Sequence, residues 1–218
     1  MPIPAGGTKE RILDASERLL AERGLAGTSL RSITAAAGVN LAAVHYHFGS
    51  KEELLRALFA RRLEPLNRER LRLLDRCEAG SREPSIEALL DAFVGPPLRL
   101  GLDPLQGWGA FMRLLGRIST EPGEAWRSLF YEQFQEVRRR FARALARALP
   151  GLPPADLAWR FHFVVGVLSG TLADPRRIEF LSEGICDASD SGAVLRAMVP
   201  FLAAGLRAPA STRRSRAR

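Results

Sequence analysis

Between its prolines and glycines this chain repeats its apolar residues every three or four positions, and runs of alternating β-branched residues are scarce. That spacing gathers apolar side chains into one stripe of a helix and offers no period-two face from which to build a sheet. An all-α protein is expected. With 218 residues, 46% of them hydrophobic, the chain can bury a core in one or two domains.

Punctuation sets the expected helices. Ile12, Ala15, Leu19 and Leu20 share a face of a helix that Thr8 is placed to cap and Gly24 ends. Leu30 to Ala37 follows, started by Thr28 or Ser29 and stopped by Gly38. Leu41 to Phe48 comes next with Asn40 as its cap, and Ser50 with Glu53 forms a capping box for a helix from Lys51 to about Cys77. Further helices are expected at about 85–94, 108–120, 123–149, 154–172 and 192–206, with Gly80-Ser81, Gly95-Pro96-Pro97, Asp103-Pro104, Glu121-Pro122-Gly123, Pro150-Gly151 and Asp174-Pro175 as separators.

Several classes fall away. No apolar run approaches the roughly 18 residues of a membrane span. The first residues lack the charged and apolar regions of a secretion signal. Cys77 and Cys186 cannot make a disulfide framework or a four-cysteine zinc site, so a reduced, cytoplasmic protein is expected. His45 and His47 diverge on their helix and give no metal pair. Gly166-Val-Leu-Ser-Gly has neither the spacing nor the context of a nucleophile elbow, so neither an enzyme nor a cofactor is expected.

Charge points to a partner. Thirty-two basic residues, all but Lys9 and Lys51 arginine, stand against 24 acidic ones for a net +8. The excess lies at the two ends: residues 1–51 carry +2, and the tail 207–218 holds five arginines and no acid. The tail is expected to be disordered, and the body between them is nearly neutral. Such a balance suits a polyanion. A peripheral protein using the tail on anionic lipid is the other reading.

The two short helices joined by Ala36-Ala37-Gly38-Val39-Asn40 have helix-turn-helix proportions, with Gly38 free to take the positive φ of the turn. Ile33, Val44, Leu19 and Phe48 would make the small core. The helix 41–48 would then present Leu41, Ala42, Ala43, His45, Tyr46 and His47 outward. The short side chains allow deep entry into a major groove. Thr28, Ser29, Tyr46, His47 and Lys51 could donate to phosphates, and Arg31 could reach a guanine edge.

Three strings stand out: Arg11-Ile-Leu-Asp-Ala-Ser-Glu-Arg-Leu-Leu-Ala-Glu-Arg-Gly, Thr28-Ser-Leu-Arg-Ser-Ile-Thr-Ala-Ala-Ala-Gly-Val-Asn, and Tyr46-His-Phe-Gly-Ser-Lys-Glu-Glu-Leu. Through them residues 9–59 resemble the DNA-binding domain of TetR-family transcriptional regulators. It implies that Thr28, Ser29, Tyr46, His47 and Lys51 grip phosphates, while Arg31, Leu41, Ala42, Ala43 and His45 read bases beside the capping Asn40. His45 departs from the Tyr or Asn often found at its place. Domains are expected at 1–51 (DNA binding), 52–206 (effector binding and dimerisation) and 207–218 (tail).

The resemblance also places a dimer interface on helices 154–172 and 192–206. Trp159, Phe163, Gly166, Val167 and Gly170 of one, with Val194, Met198, Phe201 and Leu202 of the other, are the expected contacts, and burial of the helix within one subunit is the other reading. An effector pocket is expected along Trp108, Phe111, Met112, Leu115, Phe130 and Phe134, with Arg113, Arg117 or His162 meeting a polar head group. The same stripe at helical spacing also fits plain core packing, and His162 a buried histidine. The strings Asn40-Leu-Ala-Ala-Val-His-Tyr-His-Phe-Gly-Ser-Lys, Phe111-Met-Arg-Leu-Leu-Gly-Arg, Trp159-Arg-Phe-His-Phe-Val-Val-Gly and Met198-Val-Pro-Phe-Leu-Ala-Ala-Gly-Leu-Arg look like the PsrA-type subgroup. That likeness implies a homodimeric repressor on a palindromic double-stranded operator, released by a long-chain fatty acid or acyl-CoA. A drug-like or aromatic effector is the alternative.

Overall fold

The computed structural model describes residues 7–80, 82–102, 107–118 and 124–210, without the side chains of 116–118 and 124–127. Among these residues the chain is helical and has no strand. The helices are α1 (Thr8–Arg23), α2 (Leu30–Ala37), α3 (Leu41–Phe48), α4 (Lys51–Glu78), α5 (Ile86–Leu102), α6 (Gly109–Ile118), α7 (Glu124–Ala148), α8 (Pro154–Ala173), α9 (Arg177–Leu181) and α10 (Ser191–Arg207). Among the described residues no helix is long and apolar enough to cross a membrane.

The three-helix head is built as its punctuation predicts. Ser29 caps α2 by accepting from the Ser32 amide at 3.1 Å, and Asn40 caps α3 through the Ala43 amide at 2.9 Å. Gly38 ends α2 at φ +63°, a conformation glycine takes without strain. Ile12, Leu20, Ile33 and Val44 are buried where the three helices meet. Two caps differ from expectation. Thr8 lies inside α1 and Gly7 holds the cap position without a side-chain bond. Ser50 does cap α4 through the Glu53 amide at 3.1 Å, but the Glu53 carboxylate pairs with Arg56 rather than reaching back.

The larger correction concerns Gly95-Pro96-Pro97, expected to separate two helices and found inside α5. A proline in mid-helix orphans the carbonyl four residues before it. Pro97 therefore leaves Phe93 O without its helical donor, and Arg70 Nε of α4 supplies one at 2.9 Å. The prolines inside α4 and α10, Pro65 and Pro200, are exposed. The five-residue α9 was not expected at all. At the far end of α5, a Cβ on Gly101 would stand 2.7 Å from Met112 Cγ and 3.0 Å from Leu172, so α5, α6 and α8 close on one another there.

One buried carboxylate joins head to body. Glu17 of α1 is 5% exposed. Arg62 of α4 embraces it through Nε and Nη2, both at 2.8 Å, and Arg61 Nη2 adds a third bond at 2.9 Å. Arg61 also reaches Asp14 at 2.7 Å and Glu10 at 3.1 Å. Arg62 continues to Gly107 O at 3.3 Å and lies 5.0 Å from the Trp108 ring, so the clasp extends from α1 through α4 to the start of α6. Glu17→Gln keeps the shape and removes the charge that holds Arg62. The arginines keep 21% and 22% of their side-chain surface, so the loss is discounted from the buried-pair range. Urea unfolding should show a loss of about 2 kcal/mol.

Candidate functional site

α3 turns Val44 and Phe48 into the core and leaves Leu41, Ala42, His45 and Tyr46 exposed, Tyr46 at 85%. Ala43 and His47 are half-buried on its flanks, and His47 packs edge-on against Tyr46 at 5.0 Å. His45 Nδ1 lies 2.9 Å from Gly49 O. A carbonyl only accepts, so Nδ1 is the donor of this bond and Nε2 is left facing outward. Arg31 is exposed on the first turn of α2. These groups form one polar and aromatic surface with short side chains at its centre.

Two expected phosphate donors are already occupied. Thr28 is 2% exposed, and its hydroxyl donates to Gly24 O at 2.7 Å, with Leu19 O at 3.3 Å. It ties the α1–α2 turn together and does not face outward. Lys51 is half-buried, and its ammonium donates to Thr28 O and to Leu25 O at 3.3 Å. Burial pushes its pKa down from the ordinary lysine value. One of its three N–H bonds is left for a phosphate. Ser29 stays exposed, but its oxygen serves the α2 cap.

In the body, the expected apolar stripe is divided. Phe111 and Met112 are fully buried on α6, where Phe111 meets Trp108 at 6.1 Å and Phe59 at 6.3 Å. Phe130 and Phe134 stack at 5.9 Å on α7 and belong to a second cluster, centred on Phe93 with Phe141 and Phe161. Leu115 packs half-buried against the core. Arg113 is exposed on α6, and Arg117 lies outside the described side chains. His162 is neither a core residue nor a neighbour of the stripe. It is exposed on α8 beside Trp159 at 6.0 Å and Phe163 at 5.8 Å.

The residues named for dimerisation fall into two groups. Met198 and Leu202 are buried within the subunit. Trp159, Phe163 and Phe201 are 62%, 57% and 68% exposed, a large apolar area for one face. Beside it lies a cavity of about 770 Å³ between α8, α9 and α10, with Val167, Val194, Met198 and Phe201 on its walls. None of the residues expected at an effector pocket lines it.

Sequence reasoning missed Arg70, Glu17 and this cavity. The first two carried a signal. Arg70 falls in the helical stripe Leu63, Leu66, Leu74, and Glu17 in the stripe Leu13, Leu20, so both were due to be buried. The cavity carried little, because its outer wall is the short polar-flanked stretch around Ile178 and Leu181.

A three-helix head exposing one short helix, carried on a helical body, defines a helix-turn-helix regulator architecture. Residues 12–58 match the family of bacterial regulatory proteins called the tetR family, and residues 91–205 match a tetracyclin repressor-like C-terminal domain. The chain belongs to the TetR family. It is 43% identical over 51 residues to the transcriptional regulator TtgR of Pseudomonas putida, 23% of this chain and 24% of that protein. The chain thus spans about a quarter of that relative's length. It is 36% identical over 78 residues to HdnoR, the nicotine-responsive repressor of Paenarthrobacter nicotinovorans, 36% of this chain and 40% of that protein. Among solved structures, SmeT of Stenotrophomonas maltophilia in complex with triclosan matches at a TM-score of 0.62 with 27% identity, over 89% of this chain and 90% of that one. FadR of Bacillus subtilis in complex with stearoyl-CoA matches at 0.64 with 16% identity, over 90% and 98%. At that identity the likeness is one of fold.

Thr28→Val separates a structural threonine from a phosphate ligand. Removing the buried hydroxyl should cost about 1–2 kcal/mol in urea unfolding and leave the salt dependence of DNA binding unchanged.

Proposed function

We propose that the chain is a homodimeric transcriptional repressor that places α3 of each subunit in a major groove of a palindromic operator and lets go when its body binds a small apolar effector. The observation that carries the reading is the exposed face of α3, where Tyr46 is 85% exposed beside short Leu41 and Ala42 while Val44 and Phe48 hold the helix to the head. A lone helix of eight residues reads too few base pairs for useful specificity, which calls for a second copy. Trp159, Phe163 and Phe201 offer that copy exposed apolar side chains, and Val167 and Val194 line the cavity together with Phe201. Gly166 and Gly170 leave bare backbone on the same helix as Trp159 and Phe163. The half-sites then lie about one helical turn apart, roughly 34–36 Å, or somewhat more. Action in the cytoplasm, on the nucleoid, goes with this reading.

For the effector, the likeness to the PsrA-type subgroup favours a long-chain fatty acid or acyl-CoA. A drug-like aromatic ligand is the second reading, favoured by the triclosan bound to SmeT. Both need an apolar body, and the aromatic clusters around Phe111 and Phe93 supply one.

The DNA face is tested by selecting operators from a random pool and measuring binding against salt. Arg31→Ala should relax preference at one base position by about 1–3 kcal/mol, and a uniform loss across all sequences would argue against base reading. His45→Ala should erase the preference at the base beneath its ring. Lys51→Met should weaken all sequences alike and lower the salt slope by about 1. For the interface, Phe163→Glu should shift the protein from dimer to monomer in sedimentation.

A further inference from the structure

Two charged side chains are buried among the described residues, Glu17 and Arg70, each 5% exposed. They are treated differently. Glu17 is neutralised by two arginines, whereas no ion pair among the described residues includes Arg70. Other arginines of the body have carboxylates: Arg140 pairs with Asp75 and Glu78, Arg99 with Asp91, and Arg207 with Glu87. Arg70 instead lies 4.6 Å from the centre of the Phe93 ring and 5.9 Å from that of Phe134. Among the described residues two of its five N–H donors have partners, Nε on Phe93 O at 2.9 Å and Nη1 on Asn67 Oδ1 at 3.4 Å.

Satisfying the carbonyl orphaned by Pro97 explains one N–H bond and not the charge. A neutral donor does that work without the desolvation cost of a cation. That cost is visible, since burial alone pulls the Arg70 pKa down to about 9. The two ring faces return only part of it. An anion would return much more, and the guanidinium fork with free N–H bonds matches a carboxylate.

The surroundings supply the rest of such a ligand's site. Phe134 lies against Arg70, Phe130 stacks on Phe134 at 5.9 Å, and Tyr131, 57% exposed, lies 5.8 Å from Phe130. Phe130 and Phe134 are themselves half-buried, so a series of ring contacts leads from exposed Tyr131 to the buried cation. The neighbouring Asn67, 8% exposed, is committed to Gln133 O at 2.7 Å and fixes α4 against α7 beside it.

We propose that Arg70 is the anion-recognising pole of the effector site, and that the effector is an apolar molecule bearing a carboxylate, whose body follows the Phe93–Phe134–Phe130 track. This rests on the reading that the body binds an apolar effector, and it names the head group that the effector must carry. It also moves the polar contact from Arg113 and His162, both exposed, to a residue inside the core.

The test is calorimetric titration of the full chain with a series of straight-chain fatty acids and their methyl esters, paired by chain length. The wild-type protein should bind the acid roughly tenfold tighter or more than its ester, as expected for a charge-assisted bond in a buried site. Arg70→Gln should bind acid and ester alike, and Arg70→Lys, which keeps the charge and a donor for Phe93 O, should retain part of the preference. The comparison within the wild type stands even if Arg70→Gln fails to fold. Equal affinity of the wild type for acid and ester overturns the proposal while leaving an apolar effector in place, as does a preference that survives in Arg70→Gln. Binding of neither across the series overturns the proposal, and the fatty-acid effector with it.

Discussion

The position of the DNA-facing head depends on one buried carboxylate. Glu17 sits on α1, the helix that packs against both α2 and α6, and Arg61 and Arg62 of α4 close on it from the side of the body. Surface ion pairs of this kind are worth little, but this one is desolvated on its acidic side and multiply hydrogen-bonded, which makes it specific in geometry as well as favourable. Through Gly107 and Trp108 the same guanidinium touches the start of α6. Head, linking helix and body therefore share a single polar joint, set against the apolar contact of Phe59 with Phe111.

A second constraint sits further along α4. Pro96 and Pro97 remove two amide donors from a helix whose neighbouring residues, Phe93 through Leu98, are all buried. Water cannot satisfy the abandoned Phe93 carbonyl at such a depth, so a side chain must. Arg70 does so from a helix 23 residues away in sequence, bringing its charge with it. The body is thus built around a polar defect in α5 and the cation that mends it. Phe93 and Phe134 turn their rings to the guanidinium, an apolar surface that tolerates a cation, and Phe141 and Phe161 pack on Phe93.

The head was almost wholly legible in the sequence, because local chemistry decides it. Ser29, Gly38, Asn40, Gly49 and Ser50 each fix an end of a helix through bonds that span four residues or fewer. Thr28 misled for the opposite reason: its hydroxyl bonds to Leu19 O as well as Gly24 O, and a partner nine residues back leaves no mark on local pattern. The α5 prolines misled likewise, since a breaker's strength depends on whether a distant donor rescues the orphaned carbonyl. The stripe from Trp108 to Phe134 was rightly read as apolar, but periodicity does not say which neighbour each helix faces. It fell into two clusters, and His162, on the far side of α8, joined neither.

Both polar features lie on α4, the helix that begins at the DNA-binding head. Arg62 and Arg70 are two turns apart, roughly 12 Å at the helical rise, and Asn67 between them is bonded to α7. A ligand controls such a helix only by the difference in its affinity for two placements of it. A neutral apolar molecule entering the aromatic cluster has only ring contacts with which to favour one placement over another. A carboxylate on Arg70 is different, because a charge-assisted bond has a narrow optimum of distance and direction, and in a buried site its loss leaves two unpaired charges. In the proposed complex the bond would hold Arg70, and α4 joins that point to Arg61 and Arg62, which bind Glu17 of α1. On that proposal an anionic effector is both the ligand that Arg70 accommodates best and one with direct leverage on the head.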